Sequence, residues 1–141
     1  MTRFLLDTST VSAAMWKTPD PGVLAKLAAH GGACAISAQV WHELRYGVGR
    51  LARGKRRDVL TAFLQDVVSP TLPILPYDQR AAEWLADERV RLEKAGKHLA
   101  VVDGQIAAVA ATNGIPVVTA NIADFSGFKG LVVQNWISDS R

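Results

Sequence analysis

The stretch Phe4-Leu5-Leu6-Asp7-Thr8-Ser9 decides the fold, because it joins a short apolar run to a carboxylate. Three consecutive apolar residues are typical of a strand that is buried on both faces of a sheet. Asp7 follows that strand directly, at the carboxyl end where open α/β sheets place their ligand chemistry. A carboxylate in such a place is costly unless another group pairs with it. The remaining residues must therefore be searched for a group that pairs with Asp7.

The composition is that of one globular domain, which we expect to span residues 1–141. Apolar residues make up 49% and charged residues 21% of the chain, which are ordinary proportions. No apolar run approaches the roughly 18–20 residues of a membrane span, and we recognise no secretory leader. Cys34 is the only cysteine, so a reducing, cytoplasmic location is expected, with the thiol as a small core residue. A net charge of +3 does not by itself indicate a nucleic-acid partner.

Short apolar strands alternate with helices along the chain, which predicts an α/β sandwich with a mostly parallel sheet. After the first strand, buried strands are expected at residues 33–36 and 115–119, and a peripheral one at 131–133. Residues 72–76 have prolines near both ends, which favours a short edge element over a central strand.

Capping residues predict where the helices begin. Thr8 or Ser9 is expected to cap a helix that runs to about Trp16, and Asp103 is expected to cap the helix that follows it. Further caps are predicted at Asp20, Ser37 and Asp78. The helix after Ser37 has an apolar face made of Val40, Leu44, Val48 and Leu51.

Four acids stand at strand ends or helix starts beside apolar residues: Asp7, Glu43, Asp103 and Asp124. Each alone is explained as a cap, a turn residue or a surface acid. Together they suggest a site, because right-handed crossovers bring the ends of parallel strands to one edge of a sheet. Neighbouring carboxylates repel one another, and a hard divalent cation relieves that repulsion. An all-oxygen ligand set suits Mg²⁺ or Mn²⁺, whereas the histidines have no spacing typical of zinc ligands.

Residues 50–57 form a basic segment around a glycine, between two predicted helices. Its charged residues are Arg50, Arg53, Lys55, Arg56 and Arg57. The segment is either a solvated turn or a contact for a phosphate backbone.

The chain resembles the PIN domain, in particular the VapC-type toxins of toxin–antitoxin pairs, over nearly its whole length. Four segments carry the resemblance in the family's order: Asp7-Thr8-Ser9, Glu43 within residues 37–47, Asp103 with Ile106-Ala107-Ala108, and Thr119-Ala120-Asn121 with Asp124-Phe125. The resemblance implies a PIN-like three-layer sandwich, with a short, mostly parallel sheet flanked by helices.

The resemblance also implies a function, that of a metal-dependent endoribonuclease. Asp7, Glu43 and Asp103 would hold Mg²⁺ or Mn²⁺, and Asp124 would complete the site. Such an ion lowers the pKa of its bound water and stabilises the charge that develops on the phosphate. Hydrolysis would leave a 5′-phosphate and a 3′-hydroxyl. The groups expected to orient the carboxylates are Thr8, Ser9, Thr119 and Asn121.

Partners follow from the same resemblance: an RNA substrate held by the basic segment, a cognate antitoxin, and a second copy of the chain in a homodimer. No membrane partner is expected. Contacts for the antitoxin or the dimer are sought among Trp16, Trp41, Trp84 and Leu85, which core packing explains equally well.

Three other motif matches in the sequence are rejected. Residues 49–56 fall short of a phosphate-binding P-loop, because Arg56 stands where a Ser or Thr is needed. His42-Glu43 lacks the second histidine of a zinc protease. A dehalogenase-type phosphatase needs a second aspartate where Ser9 stands. Two alternatives stay open: another metal-dependent nuclease or phosphoryl-transfer enzyme acting on DNA, and a non-catalytic PIN-like binding module.

Overall fold

A parallel sheet forms the centre of the computed structural model, which describes residues 1–138. Within that range the sheet has five strands, Phe4–Leu6 (β1), Cys34–Ser37 (β2), Ile74–Leu75 (β3), Val117–Val118 (β4) and Val133–Gln134 (β5). They lie in the order β3-β2-β1-β4-β5, and every pairing is parallel. The expected strands are therefore confirmed, with bounds shifted by a residue or two.

Helices flank this sheet and supply the crossovers between its strands. Their bounds are Thr8–Met15 (α1), Pro21–His30 (α2), Ala38–Gly49 (α3), Lys55–Phe63 (α4), Ser69–Thr71 (α5), Gln79–Lys94 (α6), Val101–Thr112 (α7) and Ile122–Phe125 (α8). A 3₁₀ turn, Gly31–Ala33, precedes β2, and a π-helical turn, Leu64–Val68, joins α4 to α5. None of the helices in residues 1–138 is long and apolar enough to cross a bilayer.

The core lies around the central strand β1, whose three residues are all buried. Leu5 and Leu6 are fully buried, as are Ile36 on β2 and both residues of β4. Cys34 is also buried, and burial raises the pKa of its thiol to about 11, which fits an unreactive core residue. The edge position of β3 is confirmed, with Ile74 partly exposed.

Three of the predicted caps are confirmed by hydrogen bonds from a backbone N–H to a side-chain oxygen. They join Val23 to Asp20 (3.0 Å), Val40 to Ser37 (3.3 Å) and Ala81 to Asp78 (2.9 Å). The apolar face of α3 is also confirmed at Val40, Leu44 and Val48. The prediction is wrong at Leu51, because the helix ends at Gly49 and Leu51 is 38% exposed.

Two predicted caps are wrong, and both errors concern the candidate site. Helix α1 begins at Thr8, so the cap position falls on Asp7, whose side chain makes no capping hydrogen bond. Helix α7 begins at Val101, after Ala100, so Asp103 lies within the first turn. Val101 and Val102, which begin α7, are exposed, so water can satisfy the free N–H groups there and no side-chain cap is required. Both carboxylates are thereby left for other partners.

A carboxylate cluster at the switch point of the sheet

Asp7 leaves the central strand where the strand order reverses, because the chain builds β2 and β3 on one side of β1 and β4 on the other. Its side chain is buried, with 6% exposure. The hydroxyls of Thr119 and Ser9 both donate to Asp7 Oδ2, at 2.8 and 3.4 Å. Burial raises the pKa of Asp7, and the charge of Glu43 adds to the rise. Hydrogen bonds from Thr119, the Thr8 backbone and Ser9 oppose it.

The loop after β4 fixes the two hydroxyls that contact Asp7. The backbone N–H of Asn121 donates to Thr119 Oγ1 at 3.0 Å, and that of Ala120 donates to Ser9 Oγ at 3.0 Å. Since each hydroxyl already accepts a backbone proton, its own proton is directed toward the carboxylate. Asn121, which is also expected to orient the acids, contributes through its backbone N–H, which holds the Thr119 hydroxyl.

Glu43 reaches the same region from helix α3. It stands beside the buried face of that helix, with its own side chain exposed. Thr8 Oγ1, in the first turn of α1, donates to Glu43 Oε1 at 2.6 Å. Thr8 and Ser9, next to each other in the chain, thus orient different carboxylates, Glu43 and Asp7.

The charges of the other three predicted acids all act on Asp103. Burial is the largest cause that raises its pKa to about 6, followed by the charges of Asp7, Asp124 and Glu43. Asp124 itself lies in α8 and is exposed. The fold therefore brings the four predicted acids into one electrostatic neighbourhood, called the carboxylate cluster below.

No lysine or arginine that the structure describes forms an ion pair with this cluster. Within residues 1–138, none of its four carboxylates forms an ion pair with a lysine or arginine; the ion pair found there is Arg91–Glu88, at 2.8 Å. Nor do three His, Cys, Asp or Glu side chains of that range stand close enough to hold one metal ion together. The cluster is therefore a set of neighbouring, repelling carboxylates without a closed ligand cage.

Two grooves border the carboxylate cluster. One, of about 310 Å³, is lined by Thr8, Glu43 and Arg56 and is otherwise mostly apolar. The other, of about 440 Å³, includes Asp103 and Asp124 and is more polar. We call the second the α6–α7 groove, because residues 97–100 between those helices line it. Sequence reasoning predicted no functional role for the residues of this linker.

The basic segment lies partly at the first groove. Arg56 lines that groove, and its Nη2 donates to the carbonyl of Met15 at the end of α1, at 2.9 Å. Arg57 is half-buried and lines a separate pocket. The other members, Arg50, Arg53 and Lys55, are exposed.

The candidate contact residues for partners have different environments. Trp16 is 48% exposed, whereas Trp41 and Trp84 are half-buried. Trp84 packs against Phe128, with ring centroids 5.7 Å apart. Leu85 is 4% exposed and belongs to the core, so its candidacy as a contact is wrong.

An ion pair between the buried Glu88 and the partly exposed Arg91, which no sequence pattern indicated, anchors the segment after α8. Glu88 accepts hydrogen bonds from Arg91 Nε and Nη2, both at 2.8 Å, and from the Lys129 N–H at 2.8 Å. Arg91 also donates to the carbonyl of Gly127, at 2.9 Å. The backbone just beyond Asp124 is thereby tied to α6.

Comparison with known proteins gives the family. The family model for the PIN domain matches residues 4–129. This chain belongs to the PIN-domain family. The VapC ribonuclease Y4jK of Sinorhizobium fredii is 33% identical to it over 136 residues, covering 94% of this chain and 96% of that protein. This PIN domain is therefore of the VapC type, as the sequence predicted.

Solved structures agree with that assignment. The crystal structure of FitAcB from Neisseria gonorrhoeae is similar to this PIN domain with a TM-score of 0.85 and 32% identity, covering 94% of this chain and 96% of that one. A member of the VapBC family of toxin–antitoxin systems from Mycobacterium tuberculosis has a TM-score of 0.70 and 28% identity, covering 98% and 100%. The predicted PIN-like α/β fold is confirmed.

Proposed function

We propose that this PIN domain is a metal-dependent endoribonuclease and the toxin of a toxin–antitoxin pair. The observation that carries the proposal is the carboxylate cluster at the switch point, which no described cation of the chain neutralises. The names of its relatives, a ribonuclease and a member of a toxin–antitoxin family, support the same activity.

A divalent cation fits the donor set of the cluster. All the donors are carboxylate oxygens, which suit Mg²⁺ or Mn²⁺. Because no three side chains of residues 1–138 form a cage, the remaining ligands would be waters and substrate phosphate, as is usual for Mg²⁺. Asp7, Glu43 and Asp103 would hold the ion, and Asp124 would complete the site when RNA binds. Once bound, the ion supplies an acidified water and offsets charge on the phosphate.

The chain's own task is to hold the carboxylates in place. Thr119 and Ser9 direct their protons to Asp7 Oδ2, and Thr8 holds Glu43 Oε1. Such partners fix ligand orientation and commonly change metal affinity or activity by about 10- to 100-fold when they are removed. We further propose that the basic segment contacts the RNA backbone, with Arg56, which lines the same groove as Glu43, as one of the contacts.

We also propose a cognate antitoxin, a homodimeric state and a cytoplasmic location. An arginine from an antitoxin could bind the cluster as a bidentate partner of its carboxylates. Light scattering at micromolar concentration tests the dimer, and a monomer would remove that part alone.

The activity test incubates purified protein with single-stranded RNA and with DNA of the same sequence, in Mg²⁺ and in chelator. We expect cleavage of RNA in Mg²⁺ only, and a loss of roughly a hundredfold or more in Asp7→Asn. Asp66→Asn, an exposed acid of the π-helical turn, is the matched control and should cleave like wild type. Cleavage of DNA alone would indicate a DNA nuclease. If Mg²⁺ supports cleavage of neither RNA nor DNA, the protein is a binding module.

A further inference from the structure

The α6–α7 groove is lined by acids of the cluster and also by two exposed side chains that carry nitrogen donors. The acids are Asp103 and Asp124, and the donors are Lys97 and His98. The groove of about 440 Å³ therefore combines a place for a cation with groups that attract an anion. A phosphodiester strand with a metal ion at one of its phosphates has both requirements.

The position of Lys97 is fixed by the end of helix α6. Gly96 has a φ of +73°, a conformation that favours glycine. Its N–H donates to the carbonyl of Glu93 at 3.0 Å, and the N–H of Lys97 donates to that of Leu92 at 2.9 Å. This pair of bonds is the Schellman motif, which ends helices at a glycine. The backbone of Lys97 is thus part of a defined helix end.

The other end of the linker is fixed by packing. Leu99 is half-buried against the core, directly after His98. A Cβ built at Gly104 would lie 2.9 Å from Leu99 Cδ1 and 2.8 Å from Leu85 Cδ1, so the absence of a side chain there lets Leu99 and α6 approach α7. Lys97 and His98 are therefore held between two anchored positions.

The ammonium group of Lys97 is not paired with the acids of the groove. Within residues 1–138, Lys97 forms no ion pair with Asp103 or Asp124. The influences on the pKa of Asp103 are burial and three carboxylates, all of which raise it, and no lysine or arginine opposes them. The cation and the acids therefore share a groove without neutralising each other.

We propose that the α6–α7 groove binds a backbone phosphate of single-stranded RNA next to the phosphate that is cleaved, with Lys97 and His98 as its contacts. The inference rests on the proposed function and names the position of the strand at that same site. A phosphate adjacent to the metal-bound one lies beyond the reach of the ion and is repelled by the exposed carboxylate of Asp124. Donors at that point overcome the repulsion and fix the register of the strand.

The test measures binding and cleavage of one fluorescein-labelled, single-stranded oligoribonucleotide of mixed sequence. Lys97→Gln, His98→Gln and the double variant are compared with Lys94→Gln, which removes an exposed charge in the last turn of α6 outside the groove. Binding is followed by fluorescence anisotropy over a range of salt. Cleavage is followed with enzyme in excess, which separates half-saturation from the saturated rate.

We expect the double variant to bind RNA about 5- to 10-fold more weakly, with a saturated cleavage rate within about threefold of wild type. The slope of log affinity against log salt should fall in magnitude by about 0.7 for Lys97→Gln, and stay unchanged for Lys94→Gln. Equal affinities of the double variant and Lys94→Gln would overturn the inference, including the case in which the groove serves only a protein partner.

The failures of the two proposals are distinguishable. If wild type binds RNA but does not cleave it in Mg²⁺, the proposed function fails. The binding comparison of the variants then still tests whether Lys97 and His98 contact RNA. If wild type cleaves RNA and the variants bind it normally, the groove inference alone fails. If wild type neither binds nor cleaves RNA, both fail.

Discussion

Thr119 is the residue on which the geometry of Asp7 depends most directly. It is fully buried, accepts the Asn121 N–H at 3.0 Å and donates to Asp7 Oδ2 at 2.8 Å. A hydroxyl that both accepts and donates has one defined orientation. Its hydrogen bond also opposes the rise that burial produces in the pKa of Asp7.

Replacing Thr119 by valine keeps the shape of the side chain and removes this bond. We expect a loss of about 1–2 kcal/mol in the free energy of unfolding, a further rise in the pKa of Asp7, and about a 10- to 100-fold loss in RNA cleavage. Thr119→Ser keeps the hydroxyl and should retain most of the activity. Urea unfolding, carboxyl NMR and the cleavage assay measure these effects. Equal activity in both variants would show that the hydroxyl does not orient Asp7.

At this scale the sequence could predict some residues of the candidate site and had to miss others. Asp7 and Thr119 follow short apolar runs, so their place at the sheet edge follows from local pattern. Lys97 and His98 occupy an exposed linker with no periodicity, and only packing of α6 on α7 brings them to a groove with acids. A groove formed by separate elements leaves no mark in either segment.

The starts of the helices show how far local sequence rules can predict the secondary-structure elements. Capping rules placed three helix starts correctly because in each case the side chain and the N–H it accepts are three residues apart. The same rules failed at Asp103, since α7 begins two residues earlier at Val101. A local rule cannot tell that an aspartate in a first turn lies within the electrostatic influence of Asp7, Glu43 and Asp124, which come from other parts of the fold.

The contact between α6 and α7 depends on Gly104, which gives a prediction for these elements. A Cβ there would lie 2.8 Å from Leu85 Cδ1 and 2.9 Å from Leu99 Cδ1. Gly104→Ala should therefore lower the free energy of unfolding by about 1–3 kcal/mol through overpacking, despite the better helix propensity of alanine. It should also weaken RNA binding, because it displaces the linker that holds Lys97.

The control is Gly47→Ala in helix α3, where nothing lies within 4 Å of the added carbon. That change should raise the free energy of unfolding by up to about 1 kcal/mol, because alanine is the better helix former. Both variants are compared by urea unfolding. A Gly104→Ala variant at least as stable as wild type would mean that α6 and α7 have more room between them than the structure shows.

For the whole molecule, the order of the strands turns separate acids into a cluster. The chain builds β2 and β3 to one side of β1 and then places β4 and β5 on the other, so the turning point lies beside Asp7 and Thr119. Parallel pairing and crossover rules made this arrangement predictable in outline. The cost of the arrangement is carboxylate repulsion, which acts on the stability of the entire fold.

That cost predicts how global stability depends on pH and metal. The pKa of Asp103 is raised from 3.8 to about 6 in the folded protein, so the folded state binds this proton more tightly than the unfolded chain does. The contribution of Asp103 to stability therefore falls as pH rises from about 4 to about 6. In chelator at pH 7, Asp103→Asn should be more stable than wild type by about 1 kcal/mol, allowing for solvent screening. The two should converge near pH 4.

Magnesium should reverse the order of the two proteins. Because an ion that binds the folded state alone stabilises it in proportion to its occupancy, Mg²⁺ should raise the unfolding free energy of wild type with saturation and leave Asp103→Asn nearly unchanged. Urea unfolding at pH 4 and pH 7, with Mg²⁺ or chelator, measures both effects, and Asp66→Asn should follow wild type throughout. A wild type that is more stable than Asp103→Asn in chelator at pH 7 would mean that Asp103 is paired within the fold, and the cluster would then need no cation.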